Sequence, residues 1–401
     1  MKLLDVTEFH SPVGGGVTTY LEAKARWLSD HSDIEHVIVV SSRHNAVETW
    51  HGSRVYHVSG PPVPASPGFY FLLAPGRLRD IMQLERPDII EVGSPFLAPW
   101  MIRYAVRGLE PALMGYFHDD VRSVWVDHGL AKAPRLVRKV AGAIIVGYMA
   151  KVYGRLDHTI APSTAAAAAL MRLGISKVST IPLGVDTELF HPRQRDRAWK
   201  ARVGASEDTP VALYVGRLSR EKELEGLLDA LPHLHAEHGL KLVVIGEGHM
   251  RGRLETLARA RPDQLAVLPF ESDRSKLAQA YASADFFFVP CPYETFGLAT
   301  IEAMASGLPI VGADAGGLRD MLRAAEWGAT FAPKSPDAIR AAVRQILHAG
   351  CERLGVKARE AAVEHFGWNR TFERQTELYR QVNAGDSRFQ IADCRSQDCR
   401  L

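Results

Sequence analysis

The sequence predicts an α/β protein built as two doubly wound, mainly parallel sheets, and three observations predict it. The chain has 401 residues, too many for one ordinary hydrophobic core. Short apolar runs with strand character alternate with segments of helical periodicity, the pattern of a parallel sheet covered on both faces. The alternation lapses in a polar, charged, weakly periodic stretch from Thr180 to Thr209, which reads as a linker, and then restarts with a second set of similar size.

In the first set, Lys2–Val6 is the first strand. A glycine-punctuated loop follows, and Val17, Tyr20, Leu21, Ala25 and Leu28 then recur at helical spacing. His36–Ser42, Asp88–Ser94, Ala112–Asp120 and Leu156–Ser163 add strands. In the second set the strands are Val211–Leu218, Lys241–Gly248, Leu265–Phe270, Asp285–Pro290 and Pro309–Asp314. Ligands of such sheets bind outside the carboxyl ends of the strands, and two such domains leave a cleft for them. The expected division is 1–190 and 191–365, with closing helices over 366–384 and a mobile tail over 385–401.

Composition narrows the partners. A hydrophobic fraction of 46%, a charged fraction of 23% and a net charge of +2 describe a soluble globular chain with no global affinity for nucleic acid. Cys291, Cys351, Cys394 and Cys399 are scattered and form no zinc-type set, so reduced thiols in the cytosol are expected. The first residues lack the apolar core of a signal peptide. The longest apolar run, which begins at Val140, falls well short of the roughly 20 residues that span a bilayer.

The chemistry concentrates in "YETFGLATIEAMASGLPIV", Tyr293–Val311. Glu294 falls in a loop above a buried strand, and Glu302 in the early part of a helix that begins near Leu298 and stops at Gly307. A helix N-terminus offers unpaired N–H groups and partial positive charge, which suits phosphate, whereas carboxylates are good acceptors for hydroxyls. The two acids are therefore expected to face one pocket and hold sugar and ribose hydroxyls while backbone amides hold phosphate. Taken singly, each reads as an ordinary surface or helix-start acid.

Other residues point the same way. Gly216 permits a tight turn at a strand end, and Arg217 and Lys222 follow it as two cations at the domain mouth, or else as a surface ion-pair set with Glu221 and Glu223. Gly14, Gly15 and Gly16 lie between the first strand and first helix, where backbone can approach an anion. They make no G-x-G-x-x-G fingerprint, which argues against a dinucleotide dehydrogenase. His118 ends a strand. The neighbouring Asp119 and Asp120 point in different directions, so a metal pair is not expected.

"ETFGLATIEAMASGLPIVGADAGG" resembles the E-x7-E signature of retaining glycosyltransferases of the GT-B fold, family 4 type. The resemblance covers most of the chain. "YVGRLSREKELEGLLDAL", "VVIGEGHMRGRLE", "IPLGVDTELFHP" and "FGWNRTFERQTELYR" match further family segments, with Leu183 where asparagine is commoner. It implies a last helix that returns to the N-terminal domain. It also implies that Arg217, Lys222, Glu294 and His118 serve catalysis, the cations binding the diphosphate and His118 lying by the donor sugar. Donor contacts are implied for Gly15, Gly16, Gly216, Gly246, Gly248, Phe270, Phe296, Gly297, Leu298 and Glu302, with Phe270-Glu271 beside the base.

The expected activity is retaining transfer of a hexose from a nucleotide-sugar, GDP-mannose slightly ahead of UDP-sugars, with no metal and no other cofactor. The acceptor is a saccharide, a lipid-linked sugar or a small molecule of cell-envelope polysaccharide or glycolipid synthesis. A nucleotide-sugar epimerase, a nicotinamide-dependent oxidoreductase and a non-catalytic sugar-nucleotide-binding protein remain alternatives. The expected location is the cytoplasm, with peripheral membrane contact as an option. Arg135–Asp157 mixes basic and apolar residues and reads first as a core helix with solvated ends; an amphipathic surface for anionic membrane, aided by Trp100, Arg103 and Arg107, is the second reading.

Overall fold

The computed structural model describes residues 1–385 except 12–14, 65, 67, 119, 121, 123–128, 131, 132, 324 and 325. The expected tail from 386 onward, Cys394 and Cys399 included, lies outside the described residues, as do Gly14 and Asp119. Two compact units form: Met1–Leu183 with the helix Trp368–Asn383, and Gly184–Gly367.

The first unit is an eight-stranded sheet of β1 (Lys2–Thr7), β2 (Glu35–Ser42), β3 (Ala46–Trp50), β4 (Ser53–Ser59), β5 (Ile89–Val92), β6 (Ala112–Tyr116), β7 (His158–Ala161) and β8 (Val178–Thr180). Its order is β3-β4-β2-β1-β5-β6-β7-β8, and only the β3–β4 pair is antiparallel. Successive residues of a strand face opposite sides of the sheet. Leu3 accordingly joins a core with the helices Gly16–His31 and Trp368–Asn383, while Leu4 and Val6 join a second core with Pro75–Glu85 and Ala98–Ala105. Helices therefore cover both faces.

A buried ionic cluster sits inside the first of these cores. Register places Asp5 of β1 beside Glu91 of β5. Lys24, 1% exposed, donates to Asp5 at 2.8 Å and to Glu91 at 3.2 Å, and His36 meets the other Asp5 oxygen at 2.7 Å. Tyr379 donates to Glu91, and Tyr20 donates to Gln375 at 2.9 Å, so the last helix is tied into the cluster. Burial opposes ionisation of Asp5, but Lys24 and His36 hold its carboxyl well below the usual range; burial pushes Glu91 up to about 7.

The second unit is a parallel six-stranded sheet of β9 (Val211–Val215), β10 (Lys241–Ile245), β11 (Leu265–Leu268), β12 (Phe286–Val289), β13 (Ile310–Ala313) and β14 (Gly328–Phe331), in the order β11-β10-β9-β12-β13-β14. Ala212, Tyr214, Leu242, Val244, Phe286 and Phe288 pack on one face against helices that include Leu224–His238 and Pro336–Ala349.

The expected linker is corrected by the structure. From Gly184 onward it is part of the second unit: Phe190 and Trp199 are buried, and Lys200 reaches Asp285 at 2.9 Å. Its polarity misled because a few scattered anchors, rather than a periodic face, hold it down. Leu183 packs against the N-terminal core.

Candidate functional site

In the second unit the candidate residues sit at the carboxyl ends of β9, β10, β11 and β12. After β9 the chain turns at Gly216, whose φ of 157° favours glycine and where an added Cβ would lie 3.0 Å from the Tyr214 hydroxyl. The Tyr214 hydroxyl in turn donates to the Arg217 carbonyl at 2.9 Å. A short 3-10 turn, Arg220–Lys222, then presents Lys222.

Lys222 forms an ion pair with Glu294, which lies in the loop after β12. The two are 72 residues apart in sequence. Burial opposes the lysine charge, but Glu294 more than offsets it and holds the ammonium above its ordinary range, so it stays protonated. Arg217 is different: its side chain is 67% exposed, with Glu221 only at 3.9 Å, so it can still swing onto an anion. Of the expected surface ion-pair set, then, Lys222 is taken by Glu294, and Glu223 pairs with Lys334.

The loop of Glu294 is braced from the next strand. Gly317 N–H donates to the Glu294 carbonyl at 2.8 Å, and a Cβ on Gly316 would lie 2.5 Å from that oxygen. Gly297, with φ 92°, begins the helix Leu298–Ala305 without a side-chain cap. The amides at Leu298 therefore keep their capacity for an acceptor. At the other end of that helix Arg359 donates to the Ala305 carbonyl at 2.8 Å.

The structure adds three particulars to the expectations about these residues. Glu294 and Glu302 do not stand as two open acids in one pocket. Glu302 is 3% exposed; Arg274 donates to one of its oxygens at 2.7 Å and Tyr281 to the other at 3.1 Å. Burial pushes its carboxyl above the usual range, against the pull of Arg274. The Phe296 ring is buried edge-on against Phe366 at 5.6 Å, which leaves only its backbone for a ligand. Gly246 and Gly248 serve close packing of two loops: a Cβ would lie 1.9 Å from the Gly216 carbonyl at Gly246 and 2.4 Å from the Leu218 carbonyl at Gly248. Leu218 N–H donates to the Glu247 carbonyl at 2.7 Å across that contact. Phe270, beyond β11, is 42% exposed and open to stacking.

The first unit holds the remaining candidates. Gly15, with φ 141°, precedes the helix Gly16–His31, and a Cβ on Gly15 or Gly16 would meet no atom within 4 Å. His118 follows β6 and stacks on Tyr116 at 4.2 Å between ring centres. Burial pushes its imidazole down to about 3, so at neutral pH it is an uncharged hydrogen-bonding group.

Sequence reasoning missed Arg274 and Tyr281, which carry no motif. The Gly316-Gly317 pair was visible as a glycine turn after a strand. Among the described residues no group of three or more His, Cys, Asp or Glu side chains converges as a metal-ligand set.

Comparison with known proteins adds an independent line. Two family models match: one described as Glycosyltransferase Family 4 over residues 14–189, the other as Glycosyl transferases group 1 over residues 195–363. A GDP-mannose-dependent alpha-(1-6)-phosphatidylinositol dimannoside mannosyltransferase of Mycobacterium tuberculosis is 31% identical over 92% of this chain and 93% of its own. A GDP-mannose-dependent alpha-mannosyltransferase of Mycolicibacterium smegmatis is 31% identical over 78% of each chain. Among solved structures, a sucrose-phosphate synthase from Thermosynechococcus elongatus superposes with a TM-score of 0.77 at 22% identity, over 96% of this chain and 100% of the other. An Anabaena protein solved with UDP and glucose gives 0.71 at 19% identity, over 95% and 99%.

Proposed function

The chain belongs to the family 4 glycosyltransferases, and we propose that it is a retaining, metal-independent hexosyltransferase that uses GDP-mannose ahead of UDP-sugars. The observation that carries the site assignment is the Lys222–Glu294 pair beside the uncapped start of Leu298–Ala305. One ligand matches that arrangement: a diphosphate next to a hydroxylated ring. GDP-mannose is favoured because it appears in the names of relatives matching 92% and 78% of the chain. The acceptor is a lipid-linked sugar ahead of a free saccharide or small molecule, and the enzyme works at the cytoplasmic face of a membrane.

In this reading the donor's phosphates draw Lys222 and Arg217 and lie on the amides at Leu298. As the C1–O bond to phosphate breaks, charge grows on the leaving diphosphate, and these fixed groups stabilise it where a metal ion serves in other enzymes. Glu294 accepts from sugar hydroxyls once Lys222 turns to phosphate. The acceptor oxygen bonds to C1 on the same face, and its proton passes to the departing phosphate oxygen. Neutral His118 donates a hydrogen bond to the transferring sugar. No carboxylate nucleophile of the glycosidase kind is required. Exclusion of water protects the donor from hydrolysis.

The test is nucleoside diphosphate release from GDP-, UDP- and ADP-sugars, with and without lipid or saccharide acceptors, in the presence of EDTA. GDP release that needs an acceptor, survives EDTA and yields a product with the donor's anomeric configuration is the expected result. Turnover without acceptor identifies an epimerase, binding without release a non-catalytic protein, and inversion or EDTA sensitivity rejects the mechanism.

A further inference from the structure

Arg274 opens the helix Arg274–Ser283, just beyond Phe270 at the carboxyl end of β11. Its guanidinium is held on two sides. One arm donates to Glu302 at 2.7 Å, and the guanidinium carbon lies over the Phe190 ring at 4.8 Å. Phe190 is itself fixed: it is fully buried, its ring stands edge-on to Tyr281 at 5.7 Å, and its carbonyl accepts from Arg359 at 2.8 Å. An ion pair at one edge and a ring against its face leave the planar fork little freedom to turn. Yet the side chain is 37% exposed and has no further hydrogen-bond partner among the described residues. A guanidinium carries five N–H groups, so an oriented edge is left for a ligand.

The neighbours of that edge select a hydroxyl rather than a phosphate. The start of Arg274–Ser283 is closed by Asp273, whose carboxylate accepts from the Ser275 and Lys276 N–H groups at 2.9 and 3.3 Å, and Glu302 adds a second carboxylate. Two acids beside one cation repel a phosphate. A hydroxyl finds both of its partners. Arg274 can donate to its oxygen, and each Glu302 oxygen, with one donor in Arg274 or Tyr281, keeps a second acceptor position for its proton. The place also fits the order of groups in a nucleotide. Arg274 follows Phe270, which is open to base stacking, and Glu302 lies about one helical turn beyond the uncapped start at Leu298, which suits the diphosphate. Between a base and a diphosphate stands the ribose.

We propose that Arg274 is a specificity residue: the free edge of its guanidinium donates to the ribose 2′-oxygen of the nucleotide-sugar, and Glu302 holds the guanidinium at that oxygen. Arg274 thereby selects ribonucleotides over deoxyribonucleotides. A site built to hydrogen-bond a hydroxyl rejects the analogue that lacks it, because its buried polar groups are then left unpaired. The inference rests on the donor reading above and extends it from the diphosphate to the nucleotide's own sugar. A pair with a purely structural role would lower the melting temperature when broken, but would leave the two nucleotide classes bound in the same ratio.

Titration calorimetry of the full chain compares GDP with 2′-deoxy-GDP, and UDP with 2′-deoxy-UDP. For the nucleotide that binds, wild type is expected to hold the ribose form on the order of 30-fold more tightly than the deoxy form, the weight of one hydrogen bond from a charged donor. Arg274→Gln lowers that ratio below about threefold. This variant leaves Glu302 buried without its cation and can fail to fold. The same comparison is therefore made in Glu302→Gln and in Arg274→Gln/Glu302→Gln, where the buried charge is absent. Glu302→Gln keeps a preference on the order of 10-fold, and the double variant loses it. A wild-type ratio near one, a wild-type ratio retained in Arg274→Gln, or equal ratios in Glu302→Gln and the double variant overturns the proposal. Deoxynucleotides bound as tightly as ribonucleotides, by a chain that releases nucleoside diphosphate to an acceptor, remove the role of Arg274 alone. A chain that binds no nucleoside diphosphate removes that role and the donor reading together.

Discussion

Lys222 and Glu294 show how one contact can serve a site in two states. Two charged groups that would each need a partner when half-buried provide one for each other. In the proposed mechanism both are released when a ligand brings phosphate to one and hydroxyls to the other, and substituting either removes an interaction that grows in the transition state. Lys222→Ala and Glu294→Ala are each expected to lower kcat by on the order of 100-fold, with a smaller change in KM. Wild-type turnover in either variant, measured as nucleoside diphosphate release at saturating donor, contradicts the assignment. The sequence disclosed these residue types and, through resemblance, the roles proposed for them. It did not disclose that they pair, because no periodicity links positions 72 residues apart. Nor did it disclose that Glu302 is shared by Arg274 and Tyr281, since that depends on how the helix Arg274–Ser283 lies beside Leu298–Ala305.

At the scale of elements, length did not decide which strands were legible: the four-residue β5, β7, β11, β12 and β13 were expected, while the seven-residue β4 was not. β8 and β14, of three and four residues, were missed as well. β3 is exposed along most of its length and joins β4 through His51 and Gly52, both at positive φ (45° and 84°), a hairpin turn without the usual asparagine signal. The loops after β9 and β10 were legible as glycine turns, yet their purpose was not, since mutual backbone packing leaves no trace in sequence. That packing makes Gly246 critical for stability. A Cβ there would press on the Gly216 carbonyl backbone, which cannot rotate away, so Gly246→Ala is expected to cost about 2–4 kcal/mol in denaturant melts. The last helix has a comparable dependence on Lys24. Lys24→Met leaves Asp5 and Glu91 buried without their shared cation and is expected to cost about 3–5 kcal/mol. Proteolysis should then cut within Trp368–Asn383 first. Adding Glu91→Gln should restore part of the loss, and a double variant no better than the single one contradicts the account.

For the whole molecule, buried imidazoles make acid stability a property of one unit more than the other. Burial pushes His10 and His158 down to about 4 and His118 to about 3, and lowers His36 as well; all four belong to the first unit. A histidine whose folded pKa is depressed stays neutral while the unfolded chain takes up a proton. Its contribution to stability is therefore complete above about 6.5 and is lost as pH falls toward 4. Glu91 acts in the opposite sense, since its folded pKa of about 7 lets the native state hold a proton between about 4.5 and 7. One carboxyl offsets only part of four imidazoles. Asp5, depressed by Lys24 and His36 against the effect of burial, adds its own loss only below about 4. Peptide-level hydrogen exchange at about pH 7 and about pH 5, corrected for intrinsic rates, should therefore show β1, β6 and β7 losing protection well before β9, β10 and β12. Equal loosening of both sheets, or protection in β1 that is unchanged down to pH 4, would mean that these histidines take up protons in the folded state and that the electrostatic account of the first unit is wrong.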